Sequence, residues 1–210
     1  MNVNKPRGAP GSATGRRSQA ERRETTRAAL LAAARELFAE RGYAGVSTEE
    51  IVERAGVTRG ALYHHFRGKD DLFRAVYERI EQELTERIAA GVSSGGEPIE
   101  LLRSGAATFL DASLEPDFQR IALVDAPSVL GWQTWREIGE RYGLGLIQAA
   151  LQNAVDTGAI PKQPVRPLAH ALLGALDEVA LLIARADDVP SARREVGETL
   201  DRLLAALGAG

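Results

Sequence analysis

Between Ser47 and Gly68 the chain starts and stops two helices of about two turns each, and this punctuation constrains the fold more than any other feature. Ser47 with Glu50 three residues on has the capping-box spacing, in which hydroxyl and carboxylate satisfy backbone N–H groups reciprocally, and Gly56 ends the segment. Thr58 can cap the next helix, which carries Ala61, Leu62 and Phe66 before Gly68 breaks it and Lys69 opens another. Upstream, Ser18 and Glu21 repeat the capping box. Leu30, Ala34, Leu37 and Phe38 follow at i, i+4, i+7 and i+8 on one face, and Gly42 supplies the stop. A long helix followed by two short ones joined through Gly56 predicts a helix-turn-helix.

The second helix of such a motif lies in the major groove, so its first turn needs short or basic side chains that reach base edges and phosphates. Thr58, Arg59 and Gly60 occupy that turn. Arg59 can offer a bidentate fork to guanine, worth about 1–3 kcal/mol of discrimination. Tyr63 and His64 lie one turn on and can donate to phosphates. Thr48 and Lys69, each at a helix start, combine a polar side chain with free backbone N–H groups. Charge supports this reading. Residues 1–69 hold thirteen Lys/Arg against seven Asp/Glu, a net +6, while residues 70–210 hold thirteen against twenty-two, a net −9, leaving −3 for the whole chain. Only the first part suits a polyanion, because the remainder is repelled by it.

Other chemistries are excluded by composition or by context. The absence of cysteine removes thiol catalysis, Cys-containing zinc sites, iron–sulfur clusters and disulfides, and is compatible with a reducing cytoplasm, the location expected here. The longest uninterrupted apolar run, Ala28 to Ala34, is far shorter than the roughly 18 residues of a membrane span, so no membrane partner is expected. His64 and His65 point about 100° apart on a helix with no third ligand nearby, so no metal or cofactor is expected. Gly91-Val92-Ser93-Ser94-Gly95 matches the G-x-S-x-G nucleophile elbow literally. That motif needs a strand before it, and here a helix precedes it.

Beyond the motif, the chain is read as all-α, with helices at roughly 69–91, 97–114, 117–125, 131–157, 165–187 and 190–207, separated by a Ser/Gly loop, Pro116, Pro127, Gly158 to Pro164, and Pro190. Three regions result: a disordered basic arm over 1–20, a helix-turn-helix domain over 21–68, and a helical effector-binding and dimerisation domain over 69–210. The segment Leu168 to Ala184 is apolar almost all round, as befits a helix inside a bundle or dimer.

The run Thr48-Glu49-Glu50-Ile51-Val52-Glu53-Arg54-Ala55-Gly56-Val57-Thr58-Arg59-Gly60-Ala61-Leu62-Tyr63-His64-His65-Phe66-Arg67-Gly68-Lys69-Asp70-Asp71-Leu72 resembles the TetR family of bacterial transcriptional repressors over about residues 25–77. The resemblance implies an all-helical homodimer that binds double-stranded operator DNA and is released by a small-molecule effector. It implies DNA contacts at Thr48, Thr58, Arg59, Gly60, Tyr63, His64, His65 and Lys69. For the effector cavity the sequence offers the aromatics Phe109, Phe118, Trp132, Trp135 and Tyr142, with Asp125, His170 and Asp177 as polar groups. The resemblance assigns the last two helices to the dimer interface, where Leu172, Leu176, Val179, Ile183, Leu200, Leu203, Leu204 and Leu207 supply apolar faces. The alternative is an enzyme or small-molecule carrier on the C-terminal domain beside a non-functional DNA-binding module.

Overall fold

The computed structural model describes residues 18–92 and 96–208, in which only helices, turns and loops occur. Helix α1 (Gln19–Arg41) begins at the Ser18 capping box, and α2 (Thr48–Arg54) begins at the Ser47 capping box. Thr58 caps α3 (Arg59–His65) by accepting from the Ala61 N–H at 3.2 Å. Between α2 and α3 the chain reverses at Gly56, whose φ of +65° is left-handed backbone that a residue with a Cβ resists. Leu30, Ala34, Leu37 and Phe38 are all buried, joined by Ile51, Leu62 and Phe66 from the two short helices. The basic arm lies outside the described residues except for 18–20, which already form the start of α1.

Helix α4 (Lys69–Val92) belongs to both halves of the molecule. Its Leu72, Phe73 and Val76 are buried beside the helix-turn-helix residues and its Ile80 and Leu84 further on, all in one continuous buried cluster that runs through both halves. Next come α5 (Pro98–Ala112), a π-helical segment Phe118–Asp125 that runs straight into α6 (Ala126–Val129), and α7 (Trp132–Gly139). A second π-helical segment, Glu140–Leu144, joins α7 to α8 (Gly145–Asp156), and α9 (Val165–Ala184) and α10 (Val189–Leu207) complete the fold.

Pro127 does not break the chain as the sequence suggests. The Ala126 N–H bonds five residues back to the Ile121 carbonyl, the wider π turn, and Pro127 sits in the first turn of α6, where its missing N–H costs little. Helix α9 is long and apolar enough to cross a bilayer by length and composition alone. It packs instead against α5, α8 and α10, and its Asp177 is ion-paired to Arg136 of α7.

Candidate nucleic-acid interface and internal cavity

The first turn of α3 projects from the surface. Thr58, Arg59 and Gly60 are exposed, and Tyr63 keeps 46% of its surface open despite its size. The Arg59 guanidinium lies over the Tyr63 ring at 5.5 Å and pairs through Nη1 with Glu49 Oε1 at 3.0 Å. Thr48 Oγ1 donates to the other Glu49 oxygen at 3.0 Å. Thr48, Arg59 and Tyr63 therefore share one face, with Glu49 between them. His64 is exposed on α3. His65 is half-buried, and burial followed by the charges of His64, Arg23 and Arg27 lowers its pKa, so it faces α1.

Lys69 is engaged differently from what its place at a helix start suggests. Its ammonium donates to the carbonyls of Tyr43 at 3.0 Å and Val46 at 2.9 Å and lies 4.0 Å over the Tyr43 ring. It thereby ties the start of α4 to the residue just before the N-cap of α2. Burial, and then the hydrogen bond that the Tyr43 hydroxyl gives Asp70, raise the Tyr43 pKa.

The second site is a cavity of about 250 Å³ enclosed by α4, α5, the first π segment, α7, α8, α9 and α10. Of the eight sequence candidates, Phe109, Phe118, Trp135 and Asp177 line it. The other four do not. Trp132 is 63% exposed and lies tilted against Trp135, ring centroids 4.8 Å apart. Tyr142 packs against the core without reaching the cavity, and His170 turns toward Glu140, 3.5 Å away. Asp125 faces the opposite domain and accepts from the Tyr43 backbone N–H at 2.7 Å. Aromatic content locates the right helices but not their inward faces.

The lining residues that aromatic content misses are mostly aliphatic, among them Leu172, Leu176, Leu200, Leu203 and Leu204, which the sequence had assigned to the dimer interface. Four polar ones are more informative: Glu81, Thr85, Arg136 and Asn153. Glu81 was detectable, because it interrupts the apolar stripe Tyr77, Ile80, Leu84, Ile88 of α4. Arg136 holds Asp177 at 2.6 Å and Glu140 at 3.3 Å. Burial, against the pull of Arg136, raises the Asp177 pKa to about 6. Among the described residues no group of three or more His, Asp or Glu side chains is placed to hold a metal ion.

One segment touches both sites. Phe118, Ala122 and Leu123 of the first π segment line the cavity. Just ahead of that segment, Asp117 accepts from Arg35 of α1 at 2.6–2.7 Å, and Arg35 also pairs with Glu83 of α4 at 2.5 Å. At its far end Asp125 holds the turn after α1. The Arg120 side chain fills the space beside Gly42, which a Cβ at that position would occupy.

An exposed helix-turn-helix on a basic domain, joined to a helical domain around an apolar cavity, defines a DNA-binding regulator with a ligand chamber. Residues 30–76 match the family described as bacterial regulatory proteins, tetR family, and residues 99–207 match the tetracyclin repressor-like C-terminal domain. The chain belongs to the TetR family of transcriptional regulators. It is 36% identical to a TetR-family transcriptional regulator from Pectobacterium atrosepticum, with a TM-score of 0.80 over 92% of this chain and 99% of that one. It is 27% identical to the transposon Tn10 TetC protein of Escherichia coli over 78% of this chain and 82% of that one. A shorter match, 44% identical over 75 residues, covers 36% of this chain and 37% of the HTH-type transcriptional regulator CymR of Pseudomonas putida.

Proposed function

We propose that this protein is a ligand-responsive repressor that binds a near-palindromic operator as a homodimer and leaves it when a small molecule occupies the cavity. The observation that carries this reading is the π segment 118–125, which forms cavity wall on one side and is fastened to α1 and its following turn on the other. A ligand that wedges Phe118 or Leu123 outward pushes on Asp117 and Asp125, and through them on the position of the helix-turn-helix. Only a ligand that binds the displaced arrangement better can shift the population toward it.

On DNA, the leading turn of α3 enters the major groove. Arg59 exchanges Glu49 for a base edge, Thr58 and Gly60 allow close approach, and Thr48, Tyr63 and His64 contact the backbone. His65 sits at the margin of this face. Lys69 contributes mainly by fixing the starts of α2 and α4 against each other. The dimer uses the outward face of α9, where Leu182 is 56% exposed, together with α10. Such a dimer places two copies of α3 about 34 Å apart, one helical turn of DNA. A location in the cytoplasm follows from an operator as partner. The rival reading is an enzyme or carrier with an idle DNA module, and the similarity to transcriptional regulators favours the repressor over it.

Selection from random duplex DNA at near-physiological salt, with the purified full chain, tests the proposal. Enrichment of an inverted repeat is the expected result. Failure of purified dimer to enrich any repeat overturns it.

A further inference from the structure

Most of the cavity wall is apolar, and its charged groups gather at one place, where Glu81 of α4, Arg136 of α7 and Asp177 of α9 converge. These charges are unequal in how well they are satisfied. Arg136 gives one N–H to Asp177 Oδ2 at 2.6 Å and another to Glu140 Oε1 at 3.3 Å, so two carboxylates already neutralise it. His170, the remaining basic group on the cavity helices at this level, has its Nδ1 3.5 Å from that same Glu140 oxygen. Glu81 has no cation. The two hydroxyls nearest it on its own helix are engaged elsewhere, Tyr77 giving its O–H to the Trp135 carbonyl at 3.4 Å and Thr85 to the Glu81 backbone carbonyl at 2.8 Å, and the Asp177 charge faces it from α9. Helices α5 and α10 and the first π segment bring only apolar side chains and glycine to the chamber, and α8 adds only Asn153.

Glu81 is half-buried on α4 and lines the cavity. A carboxyl in that position is costly to ionise, and burial raises its pKa to about 7. A polar group of this kind needs partners, and the hydroxyls of Tyr77 and Thr85 beside it are given to backbone carbonyls, where a carboxylate accepts several bonds.

We propose that the ligand of this cavity is a mostly apolar molecule bearing one protonated amine, and that Glu81 receives the amine. The inference rests on the effector reading above and specifies its chemistry. An anionic ligand meets uncompensated negative charge, since Arg136 is committed to Asp177 and Glu140. A neutral alcohol satisfies a hydrogen bond but leaves the charge alone. An ammonium does both, and charge-assisted bonds are roughly twice as strong as neutral ones.

Three probes of one shape separate these cases: phenylbutylamine, phenylbutanol and phenylbutyrate, each titrated calorimetrically into the full chain at near-neutral pH. The amine is expected to bind about tenfold or more tightly than the carboxylate, with the alcohol between them, as one extra charge-assisted bond implies. Glu81→Gln keeps the shape and is expected to erase the amine's advantage over the alcohol. Leu172→Trp, which fills the apolar wall, is expected to weaken all three, and thermal melting of both variants establishes that they fold. Equal binding of the carboxylate, an amine preference that survives Glu81→Gln, or no binding of any probe overturns the proposal. Operator binding is followed in parallel. If the amine binds through Glu81 and the operator is not released, the chemistry of the chamber stands while the effector reading falls; if phenylbutyrate releases the operator, the reverse holds.

Discussion

At the level of single residues, the recognition surface is held in a resting arrangement by an acid. Glu49 pairs with Arg59 at 3.0 Å and accepts from Thr48, so the guanidinium is oriented but occupied. A pair this exposed is screened by solvent and weaker than a bidentate contact to guanine, so a base edge can take the place of Glu49. Arg59→Ala is expected to flatten base preference at one operator position, whereas Glu49→Gln tightens binding to all sequences several-fold by removing a nearby negative charge; fluorescence anisotropy on operator and scrambled duplexes distinguishes the two. Lys69→Ala has a different signature. It removes two charge-assisted bonds to carbonyls and is expected to lower stability by about 1–2 kcal/mol in addition to weakening DNA binding, which Arg59→Ala does not. Melting curves decide this, and an unchanged Tm for Lys69→Ala contradicts the role given to it. Burial also makes a prediction about pH. Glu81 and Asp177 have folded pKa values raised to about 7 and about 6, so between the ordinary carboxylate range and those values the folded state binds more protons than the unfolded one. Their effect is therefore absent at low pH and becomes destabilising as pH rises toward neutrality. Glu50, lowered to about 2 chiefly by the Ser47 backbone N–H and then Arg41, acts in the opposite sense but only below the ordinary range. Thermal midpoints are expected to fall from about pH 5 to about pH 7.5, and Glu81→Gln to flatten that slope.

At the level of elements, what was legible in the sequence depended on whether the signal was local. Ser18, Ser47 and Thr58 each announce a helix start by side-chain chemistry within three residues, and all three caps occur in the structure. The first core followed, because Leu30, Ala34, Leu37 and Phe38 obey a helical period on one face. The cavity was only half legible. Trp132 and Trp135 are both aromatic and three residues apart, yet one is exposed and the other buried with its indole N–H given to the Ala122 carbonyl at 3.0 Å. Which face of a helix turns inward depends on its partners, and the two π segments shift that phase in a way no period reveals. Asp125 shows the consequence, as an expected ligand contact that instead fastens the first π segment to the Tyr43 N–H. Its role suggests a test at this scale. Asp117→Ala with Asp125→Ala is expected to leave cavity binding intact while shrinking the factor by which ligand weakens operator affinity. That factor is the coupling free energy itself, measured by titrating operator with and without saturating ligand. An unaltered factor means that coupling runs through α4 alone.

Across the whole molecule, the separation of charge and the exposed Leu182 on α9 both bear on the proposed dimer. Residues 70–210 carry a net −9, so the larger domain is held away from phosphate, and only a geometry that presents both basic domains on the same side lets a dimer use them together. The proposed dimer joins two chains through α9 and α10, and it meets this requirement only if both helix-turn-helix motifs then face one duplex. Binding energy for the operator then comes from two half-sites, and losing the dimer forfeits the second one. Leu182→Glu places a charge on an apolar face that is 56% exposed in the single chain, where it disturbs folding little but an interface severely. The variant is expected to elute as a single chain in gel filtration, to melt within a few degrees of the parent, and to lose operator affinity by about a hundredfold or more while keeping weak, salt-sensitive binding to any duplex. Retention of both dimer and affinity by Leu182→Glu moves the interface off this face of α9, and with it the half-site spacing of about one helical turn that the operator is expected to show.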